Sequence, residues 1–356
     1  MQRVGTSNKY VCLTRPRRFG KTVMANMLGA FFTKTANSSE LFTSLKIAED
    51  KQAMQHINQY NVIYIDFSRV GSESNSYANY IDNIIAILKN DLQNAYPDVA
   101  YRVGSSVAED LERITAATGE RFIFIFDEWD AIFHASFITE ADRKKYLMFL
   151  KDLLKDRAYV YLAYMTGVLP ISKYTSGSEL NSFAEYNMAT MVMYSDIFGF
   201  SDAEVDELYA KYLELTASPK VTREGLKIWY DGYHTAAGNL LYNPRSVVFA
   251  LQNNQLYNYW TSSGPYDEIF YYIKNNVQAV RDDLALMVAG ERIAVKIQEY
   301  AAMLLKLDTK QQIFSAMVVY GLLTYENGRV FIPNKENKDC IILELKVDYN
   351  HDENLA

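Results

Sequence analysis

A short apolar run, a loop that ends in Gly-Lys-Thr and a helical pattern follow one another in KYVCLTRPRRFGKTVMANML, residues 9–28. A strand, loop and helix in this order bring backbone N–H groups and a helix N-terminus to one point, where an anion is stabilised. The usual phosphate-binding loop reads G-x-x-x-x-G-K-[ST]. Gly20, Lys21 and Thr22 fill its last three positions, but Arg15 stands where the first glycine is expected.

The end of this loop carries the groups that phosphate binding requires. Gly20 allows close approach of the backbone, Lys21 reaches the β/γ-phosphate oxygens, and the Thr22 hydroxyl is a ligand for Mg²⁺. Pro16 has a fixed φ and can rigidify the turn in place of the first glycine. Three further cations add attraction for an anion: Arg15, Arg17 and Arg18. A basic surface turn before a helix is the alternative interpretation.

A second motif supplies the acidic groups of a nucleotide-hydrolysing site. RFIFIFDEWD (121–130) is an apolar run that ends in Asp127 and Glu128. An ATPase with a phosphate-binding loop holds Mg²⁺ partly through an acidic residue and orients the attacking water with another polar group. We therefore predict Asp127 as a metal ligand and Glu128 as the catalytic base. A strand that merely ends in acidic residues is the alternative.

Short apolar runs alternate with helical patterns through the first half of the chain. The runs are unbroken, which is typical of strands buried on both faces of a parallel sheet. The predicted strands are 10–14, 62–67, 121–128 and 159–167, and the predicted helices are 22–33, 77–95, 105–117 and 142–156. This alternation predicts an α/β fold with a doubly wound parallel sheet.

After about residue 180 the pattern becomes mostly α-helical. Ser201 followed by acidic residues predicts an N-cap and a helix over 201–216, and Asn243-Pro244 is typical of a helix start. Further helical patterns lie at 221–233, 243–252, 266–276 and 291–307. The segment 311–334 predicts a helix and a two-stranded hairpin that turns at Asn327-Gly328, as in a winged-helix subdomain.

Composition limits the classes of function. The net charge of −7 argues against a nucleic-acid binder that uses its whole surface, so any DNA contact would be local. Cys12, Cys340 and four scattered histidines lack metal-ligand spacing, which argues against a zinc site or a disulfide framework. The apolar runs are too short to span a bilayer and the first residues lack the core of a signal peptide. We expect a cytoplasmic location without a membrane partner.

Taken together, the motifs resemble those of a known family. RPRRFGKT followed by a long helix, IFDEWD, MTGVLPISK, FGFSDAEV, WYDGYH and YNPRSV occur in this order. As a set they resemble the AAA-ATPase-like P-loop family of bacteria and archaea, whose members often carry a C-terminal PD-(D/E)xK nuclease-like domain. The resemblance covers about residues 8–336. Since R-P-R-R-F-G-K-[ST] is the usual loop of that family, Arg15 indicates a variant loop that is intact.

The resemblance implies a nucleotide-binding core with an additional strand, and ATP and Mg²⁺ as cofactors. Thr166 falls where such cores place a polar sensor of the γ-phosphate, and a strand-end turn residue is the equal alternative. Arg245 is interpreted as a solvated helix residue in preference to a phosphate contact. Asp66, at the end of its strand, is equally well interpreted as a structural cap. The predicted nucleotide contacts are Arg17, Arg18, Phe19, Gly20, Lys21, Thr22 and Thr166, with Thr22 and Asp127 as metal ligands.

Near the C-terminus, DCIILELKVDYN (339–350) contains the E-x-K of a PD-(D/E)xK nuclease at Glu344 and Lys346. In a strand these two side chains share a face, whereas Asp339 lies on the opposite one. The segment upstream also leaves no room for the first helix and strands of a nuclease. We interpret the segment as an amphipathic terminal strand, and the resemblance then suggests a remnant of the nuclease module.

These interpretations divide the chain into a P-loop ATPase domain (1–180), a helical, winged-helix-like domain (181–336) and the nuclease remnant (337–356). The favoured function is an ATP-binding, Mg²⁺-dependent ATPase. The resemblance adds a role as a nucleotide-dependent switch that contacts DNA or a partner protein through its second domain. The alternatives are a nucleic-acid-processing protein of the nuclease type and a nucleotide-binding interaction module without hydrolysis. The oligomeric state stays open.

Overall fold

The computed structural model of the chain describes residues 3–70, 74–171, 180–260, 277–297 and 309–352. These residues form two compact units. The first consists mainly of Met1–Leu13 and Lys21–Gly167, and the second mainly of Thr14–Gly20 and Tyr186–Ala356. The loop that precedes Lys21 therefore clusters with the second half of the chain.

The first half of the chain alternates strands and helices as predicted. The strands are β1 (Tyr10–Thr14), β2 (Asn61–Asp66), β3 (Phe122–Asp127), β4 (Val160–Gly167) and β5 (Ala184–Tyr186). The helices are α1 (Lys21–Phe32), α2 (Lys51–Met54), α3 (Phe67–Val70), α4 (Tyr77–Ala95), α5 (Val107–Thr118) and α6 (Glu140–Leu154). Short 3-10 turns lie at Ser39–Phe42, Lys46–Glu49 and Ala131–His134. The four predicted strands and four predicted helices are confirmed, with ends within about two residues.

The central sheet has the strand order β2-β3-β4-β1-β5. Strands β2, β3 and β4 are parallel, and their register sets Asp66 beside Asp127 at the carboxyl ends of β2 and β3. Helix α1 packs against these three strands. The fold is therefore the α/β fold of P-loop ATPases, and β4 is the additional strand between β1, which leads into the loop, and β3. Every residue of β3 is buried, which explains its unbroken apolar sequence.

The second unit is mostly helical. Its helices are α7 (Asp202–Leu215), α8 (Arg223–Tyr230), α9 (Pro244–Gln252), α10 (Val277–Val288), α11 (Lys310–Tyr320) and α12 (Lys335–Asp352). Its strands are β6 (Tyr233–His234), β7 (Leu240–Leu241), β8 (Ile293–Ala294), β9 (Thr324–Glu326) and β10 (Arg329–Phe331). The N-cap at Ser201 is confirmed by a capping box with Glu204. The helix start at Asn243-Pro244 is confirmed as well, with Asn243 as the N-cap.

The helix and hairpin predicted for 311–334 are confirmed. Asn327 and Gly328 have φ values of 48° and 79°, the left-handed pair that a tight hairpin turn requires. Strand β10 also pairs with β8, which makes a three-stranded sheet in the order β8-β10-β9. The helix predicted from residue 291 is wrong at its start, because Ile293–Ala294 forms β8. Residues 298–307 of that prediction, and the helix at 266–276, lie outside the described residues.

The strand predicted over 339–350 is wrong, because this segment belongs to helix α12. Asn334 accepts a hydrogen bond from the backbone N–H of Asn337 at 3.0 Å, as a helix N-cap does. Asn337, Cys340 and Ile341 are buried, which follows the helical spacing. The alternation of charged and apolar residues suggested a strand, but the Asn334 N-cap and the buried face of Asn337, Cys340 and Ile341 stabilise a helix.

Among the helices that the structure describes, none combines the length and the apolar character needed to cross a bilayer.

Replacement of Gly321 tests how closely the loop packs within the second unit. Gly321 ends α11 with φ of 86°, and a Cβ there would lie 2.7 Å from the Cβ of Pro16. Gly290 also has a positive φ, but a Cβ there would meet no atom of the described part of the chain within 4 Å. We expect Gly290→Ala to cost about 1 kcal/mol through backbone strain alone. Gly321→Ala should cost about 1–3 kcal/mol more through the clash. Equal losses of the thermal unfolding midpoint would contradict this packing.

Candidate functional site

The loop between β1 and α1 contains two left-handed residues. Arg18 has φ of 71° and Gly20 has φ of 88°. No atom of the described residues lies within 4 Å of the position that a Cβ on Gly20 would take, so the backbone has room for a close ligand here. Left-handed residues in a turn make concavities of backbone N–H groups that bind anions. The sequence departs from the usual loop, but these two positions retain the turn that phosphate binding requires.

Arg15 is an internal anchor of the loop. Its side chain is only 1% exposed and donates hydrogen bonds to the carbonyl oxygens of Thr14 (2.7 Å), Tyr186 (3.2 Å) and Tyr194. Its guanidinium also lies 5.0 Å from the centre of the Phe198 ring. We expected Arg15 to add attraction for an anion at the surface. Its buried hydrogen bonds instead fix the start of the loop, where the usual motif relies on glycine.

Arg18 and Phe19 hold the middle of the loop in the second unit. Arg18 donates to the carbonyl oxygens of Tyr259 (2.8 Å) and Trp260. Burial and the nearby Arg245 lower the pKa of Arg18 to about 10, so its guanidinium stays protonated at neutral pH. Phe19 is buried and meets Tyr233 edge to face, with 4.9 Å between ring centres. Phe19 can therefore contribute to a ligand site only through its backbone.

Lys21 and Glu128 form an ion pair in the first unit. Their Nζ and Oε1 atoms are 3.6 Å apart, and the Lys21 side chain is only 3% exposed. Glu128 has φ of 50°, a left-handed conformation that costs a non-glycine residue about 1–2 kcal/mol. Its N–H donates to Asp127 Oδ1 at 3.1 Å, and the next N–H, of Trp129, donates to the carbonyl oxygen of Thr166. These bonds hold Glu128 in the conformation that directs it toward Lys21.

Asp127 is completely buried at the end of β3. Burial raises the pKa of this carboxyl to about 6, although a hydrogen bond with Thr22 and the charge of Lys21 lower it. The negative charges of Glu128 and Asp66 add to the increase. Among the described residues, the Oδ2 atom of Asp127 has no hydrogen-bond partner. A buried carboxylate oxygen without a hydrogen-bond partner would be stabilised by a cation.

The donors around Asp127 suit Mg²⁺. The Thr22 hydroxyl and the Asp127 carboxylate are both hard oxygen ligands, and they lie within hydrogen-bond reach of each other. Within the described ranges no cluster of three or more His, Cys, Asp or Glu side chains could hold a metal alone. Mg²⁺ is commonly bound through one or two carboxylates together with substrate phosphates. The predicted pair Thr22 and Asp127 therefore fits Mg²⁺ that arrives with a nucleotide.

Three further residues of the sequence analysis have structural contacts. The buried Thr166 hydroxyl donates to the carbonyl oxygen of Leu13 at 3.0 Å and so links β4 to β1. Asp66 accepts hydrogen bonds from the Ser68 N–H and hydroxyl and pairs with Arg69, as the structural-cap interpretation predicted. Arg245 is partly buried and lies 4.6 Å from the centre of the Phe249 ring. The role of Thr166 as a sensor stays a prediction.

Sequence reasoning missed two side chains near these groups. Tyr64 lies on β2 near Asp127, and burial together with the negative charge of Asp127 raises the pKa of its phenol. Glu336 lies near Arg18 in the second unit and raises the pKa of that guanidinium. Neither stands in a motif with a known chemical role. The signal for Glu336 was its place directly after Asn334 and Lys335, shortly before the segment that was predicted as a strand.

Comparison with known proteins supports the interpretation of the loop-bearing half. A family model for AAA-ATPase-like proteins, described as predicted AAA-ATPases, matches residues 1–175. Over these residues the chain is similar to AAA-ATPase-like proteins. A nucleotide-binding ATPase core is therefore the coarse assignment of residues 1–175, and the AAA-ATPase-like match ends before the mostly helical second half.

Individual relatives are more distant. A protein of Azotobacter chroococcum mcd 1, described as an uncharacterized protein in the vnfD 5' region, is 26% identical over 257 residues. The match covers 71% of this chain and 47% of that protein, so the chain spans about half the length of this relative. Among solved structures, a Walker-type ATPase of Pyrococcus abyssi has a TM-score of 0.48 at 12% identity, covering 93% of this chain and 90% of its own. The ORC2 protein of Aeropyrum pernix has a TM-score of 0.44 at 10% identity, covering 98% and 90%.

The raised pKa of Asp127 predicts an unusual response to Asp127→Asn. An acid whose pKa is raised on folding stabilises the folded state at low pH and loses that contribution as pH rises through the folded value. For Asp127 the loss falls between about pH 4 and pH 6. Without nucleotide or metal, Asp127→Asn should therefore raise the unfolding free energy at pH 8, on the order of 2 kcal/mol, and change little at pH 4.

Asp66→Asn is the matched control for this measurement. Its carboxylate accepts hydrogen bonds from Ser68 and pairs with Arg69, so its removal should lower the thermal unfolding midpoint at pH 8. Thermal unfolding of both variants at pH 4 and pH 8 measures these opposite effects. A midpoint that falls at pH 8 in Asp127→Asn would show that the buried carboxylate is stabilised by its surroundings.

Proposed function

We propose that the chain is a Mg²⁺-dependent ATPase. The observation that carries the proposal is the meeting of Lys21, Thr22, Asp127 and Glu128 where α1 begins and β3 ends. Lys21 pairs with Glu128 at 3.6 Å, and the Thr22 hydroxyl is close enough to the buried Asp127 to lower the pKa of its carboxyl. An ammonium, a hydroxyl and two carboxylates in this order are the groups that phosphoryl transfer to water uses in P-loop enzymes. The family match of residues 1–175 supports the same assignment.

In this proposal the Lys21 ammonium neutralises charge on the β- and γ-phosphates, and Gly20 lets the loop backbone approach them. Thr22 and Asp127 hold Mg²⁺, with Asp127 acting directly or through a water. When bound, the metal neutralises charge that develops on the phosphate oxygens. Glu128 orients the attacking water and accepts its proton as the bond between the γ-phosphorus and the bridging oxygen breaks. The products are ADP and inorganic phosphate.

The ion pair between Lys21 and Glu128 gives the site a resting arrangement. Both charges are partly or fully removed from water, where they attract one another more strongly than at the surface. Phosphate oxygens compete with Glu128 for Lys21. Binding of ATP thus releases Glu128 from the lysine, and the freed carboxylate is then able to activate water.

A role as a nucleotide-dependent switch is part of the proposal. The loop residues Thr14–Gly20 belong to the second unit, and a phosphate bound by their backbone favours the loop conformation that binds it. A partner protein or DNA would then be bound by the second unit. The nuclease alternative loses support, because Glu344 and Lys346 lie in a helix and not in a strand.

Lys21→Ala tests the nucleotide site. The variant should lose binding of Mg-ATP and Mg-ADP, because Lys21 is the ammonium that the proposal places against the β- and γ-phosphates. At a ligand concentration of 100 times Kd, the wild type should gain about 2.7 kcal/mol of unfolding free energy, and the variant none. Thermal-shift titration measures both. Lys34→Ala is the control, since it removes an exposed pair with Glu120 and should shift as the wild type does.

An unchanged affinity in Lys21→Ala would rule out the phosphate-binding role of the loop.

Glu128→Gln separates binding from hydrolysis. The variant should bind Mg-ATP at least as tightly as the wild type, because the ion pair that competes for Lys21 is gone. Release of inorganic phosphate should fall by about 10²–10⁴-fold, the usual contribution of a general base. Glu120→Gln, a surface substitution in the same unit, should keep the wild-type rate. Full turnover by Glu128→Gln would exclude Glu128 as the base, and tight binding without turnover in the wild type would favour an interaction module.

A further inference from the structure

Glu336 is a completely buried carboxylate at the first turn of α12. The Ser246 hydroxyl donates to both of its oxygens, at 3.0 and 2.9 Å. The backbone N–H groups of Tyr259 and Trp260 donate to Oε1, at 2.8 and 2.9 Å. Complete burial of a carboxyl group is costly unless hydrogen bonds compensate for the lost hydration. The question is what these bonds hold in place.

The backbone that Glu336 binds also holds the phosphate-binding loop. The carbonyl oxygens of Tyr259 and Trp260 accept hydrogen bonds from the Arg18 guanidinium. One peptide group, between Tyr259 and Trp260, is therefore bound by Glu336 at its N–H and by Arg18 at its C=O. Hydrogen bonds in such a chain polarise and strengthen one another. The carboxylate and the guanidinium thus fix a single peptide from opposite sides.

Charge acts in the same direction as these hydrogen bonds. Burial raises the pKa of Glu336 to about 7, while the bonds from Ser246, Trp260 and Tyr259 and the charge of Arg18 lower it. Glu336 in turn raises the pKa of Arg18 against the effect of burial. The two charged groups therefore stabilise each other within the second unit, and loss of the carboxylate weakens the hold on the guanidinium.

We propose that Glu336 is a positioning residue for nucleotide binding: through the Tyr259–Trp260 peptide it holds Arg18, and through Arg18 the left-handed turn of the phosphate-binding loop. Arg18 has φ of 71°, a conformation that a non-glycine residue keeps only when its surroundings impose it. The inference rests on the proposed function, since the loop is taken to bind the phosphates of ATP. Glu336 touches neither nucleotide nor metal and acts only through Arg18.

The experiment is a double-mutant cycle between Glu336 and Arg18, with the Kd for Mg-ATP measured calorimetrically on the full chain. Glu336→Ala should weaken binding about tenfold, the size expected for lost hydrogen bonds to a charged group. Arg18→Ala should weaken it by at least as much. The double variant should bind no more weakly than Arg18→Ala alone, because both substitutions remove one path. Additive losses, or an unchanged Kd in a folded Glu336→Ala protein, would overturn the positioning role.

Glu336→Gln gives the test if Glu336→Ala fails to fold by circular dichroism. Glutamine keeps the size of the side chain and an oxygen that accepts from the two N–H groups, but it removes the charge. We therefore expect a several-fold loss of affinity for Mg-ATP in Glu336→Gln. The same substitution should cause no further loss in the Arg18→Ala protein. An unchanged Kd in Glu336→Gln would then overturn the positioning role.

Tyr212→Phe is the control for a general loss of stability in the second unit. The Tyr212 hydroxyl accepts hydrogen bonds from the N–H groups of Lys220 and Val221 and donates to Asn254, and none of these bonds involves Arg18 or Glu336. Tyr212→Phe should lower the thermal unfolding midpoint and leave the Kd for Mg-ATP unchanged. A loss of affinity equal to that of Glu336→Ala would show that lower stability of the second unit causes both effects, and would overturn the proposal. Absence of Mg-ATP binding in the wild type would instead overturn the proposed function, and the positioning role with it. The two failures are thereby distinguished.

Discussion

The shape of the loop between β1 and α1 depends on hydrogen bonds from two arginine side chains to backbone carbonyls. Arg15 binds the carbonyls of Tyr186 and Tyr194, and Arg18 binds those of Tyr259 and Trp260. A hydrogen bond that involves a charged group contributes about 1.5–3 kcal/mol. A loop that begins with glycine can adopt the turn because glycine has few backbone restrictions. In this loop the hydrogen bonds of Arg15 and Arg18 to backbone carbonyls stabilise the turn instead. Its conformation therefore requires that the second half of the chain be folded.

The groups at the start of α1 and the end of β3 are held at a cost in stability. Asp127 is buried with a raised pKa, and Glu128 adopts a left-handed conformation. Such features are expected at sites whose ligand supplies the missing interaction. A cation beside Asp127 would offset the desolvation of its carboxylate. The same features would be hard to explain in a loop whose acidic residues served only to end a strand.

Local signals in the sequence were sufficient for most elements and for the centre of the site. The apolar run of β3 and the capping sequence at Ser201 act within a few residues, so their elements could be predicted. Lys21, Thr22, Asp127 and Glu128 could be brought together because parallel strands end at one edge of the sheet. The partners of Arg18 could not, because they lie 241 and 242 residues further along the chain. Helix α12 was missed for a similar reason: its alternating sequence also suits a strand, and only burial of residues such as Cys340 decides between them.

The hydrogen bonds that hold the loop and the affinity of the loop for nucleotide are linked thermodynamically. If phosphate binding requires the turn that Arg18 maintains, the free energy of nucleotide binding includes the free energy of keeping the Tyr259–Trp260 peptide in place. Linkage is reciprocal, so whatever displaces that peptide weakens nucleotide binding by the same factor by which nucleotide opposes the displacement. A partner of the second unit needs no contact with the phosphates to affect them. It has only to change the hydrogen bonds of Glu336, a side chain with no place in the phosphate-binding motif.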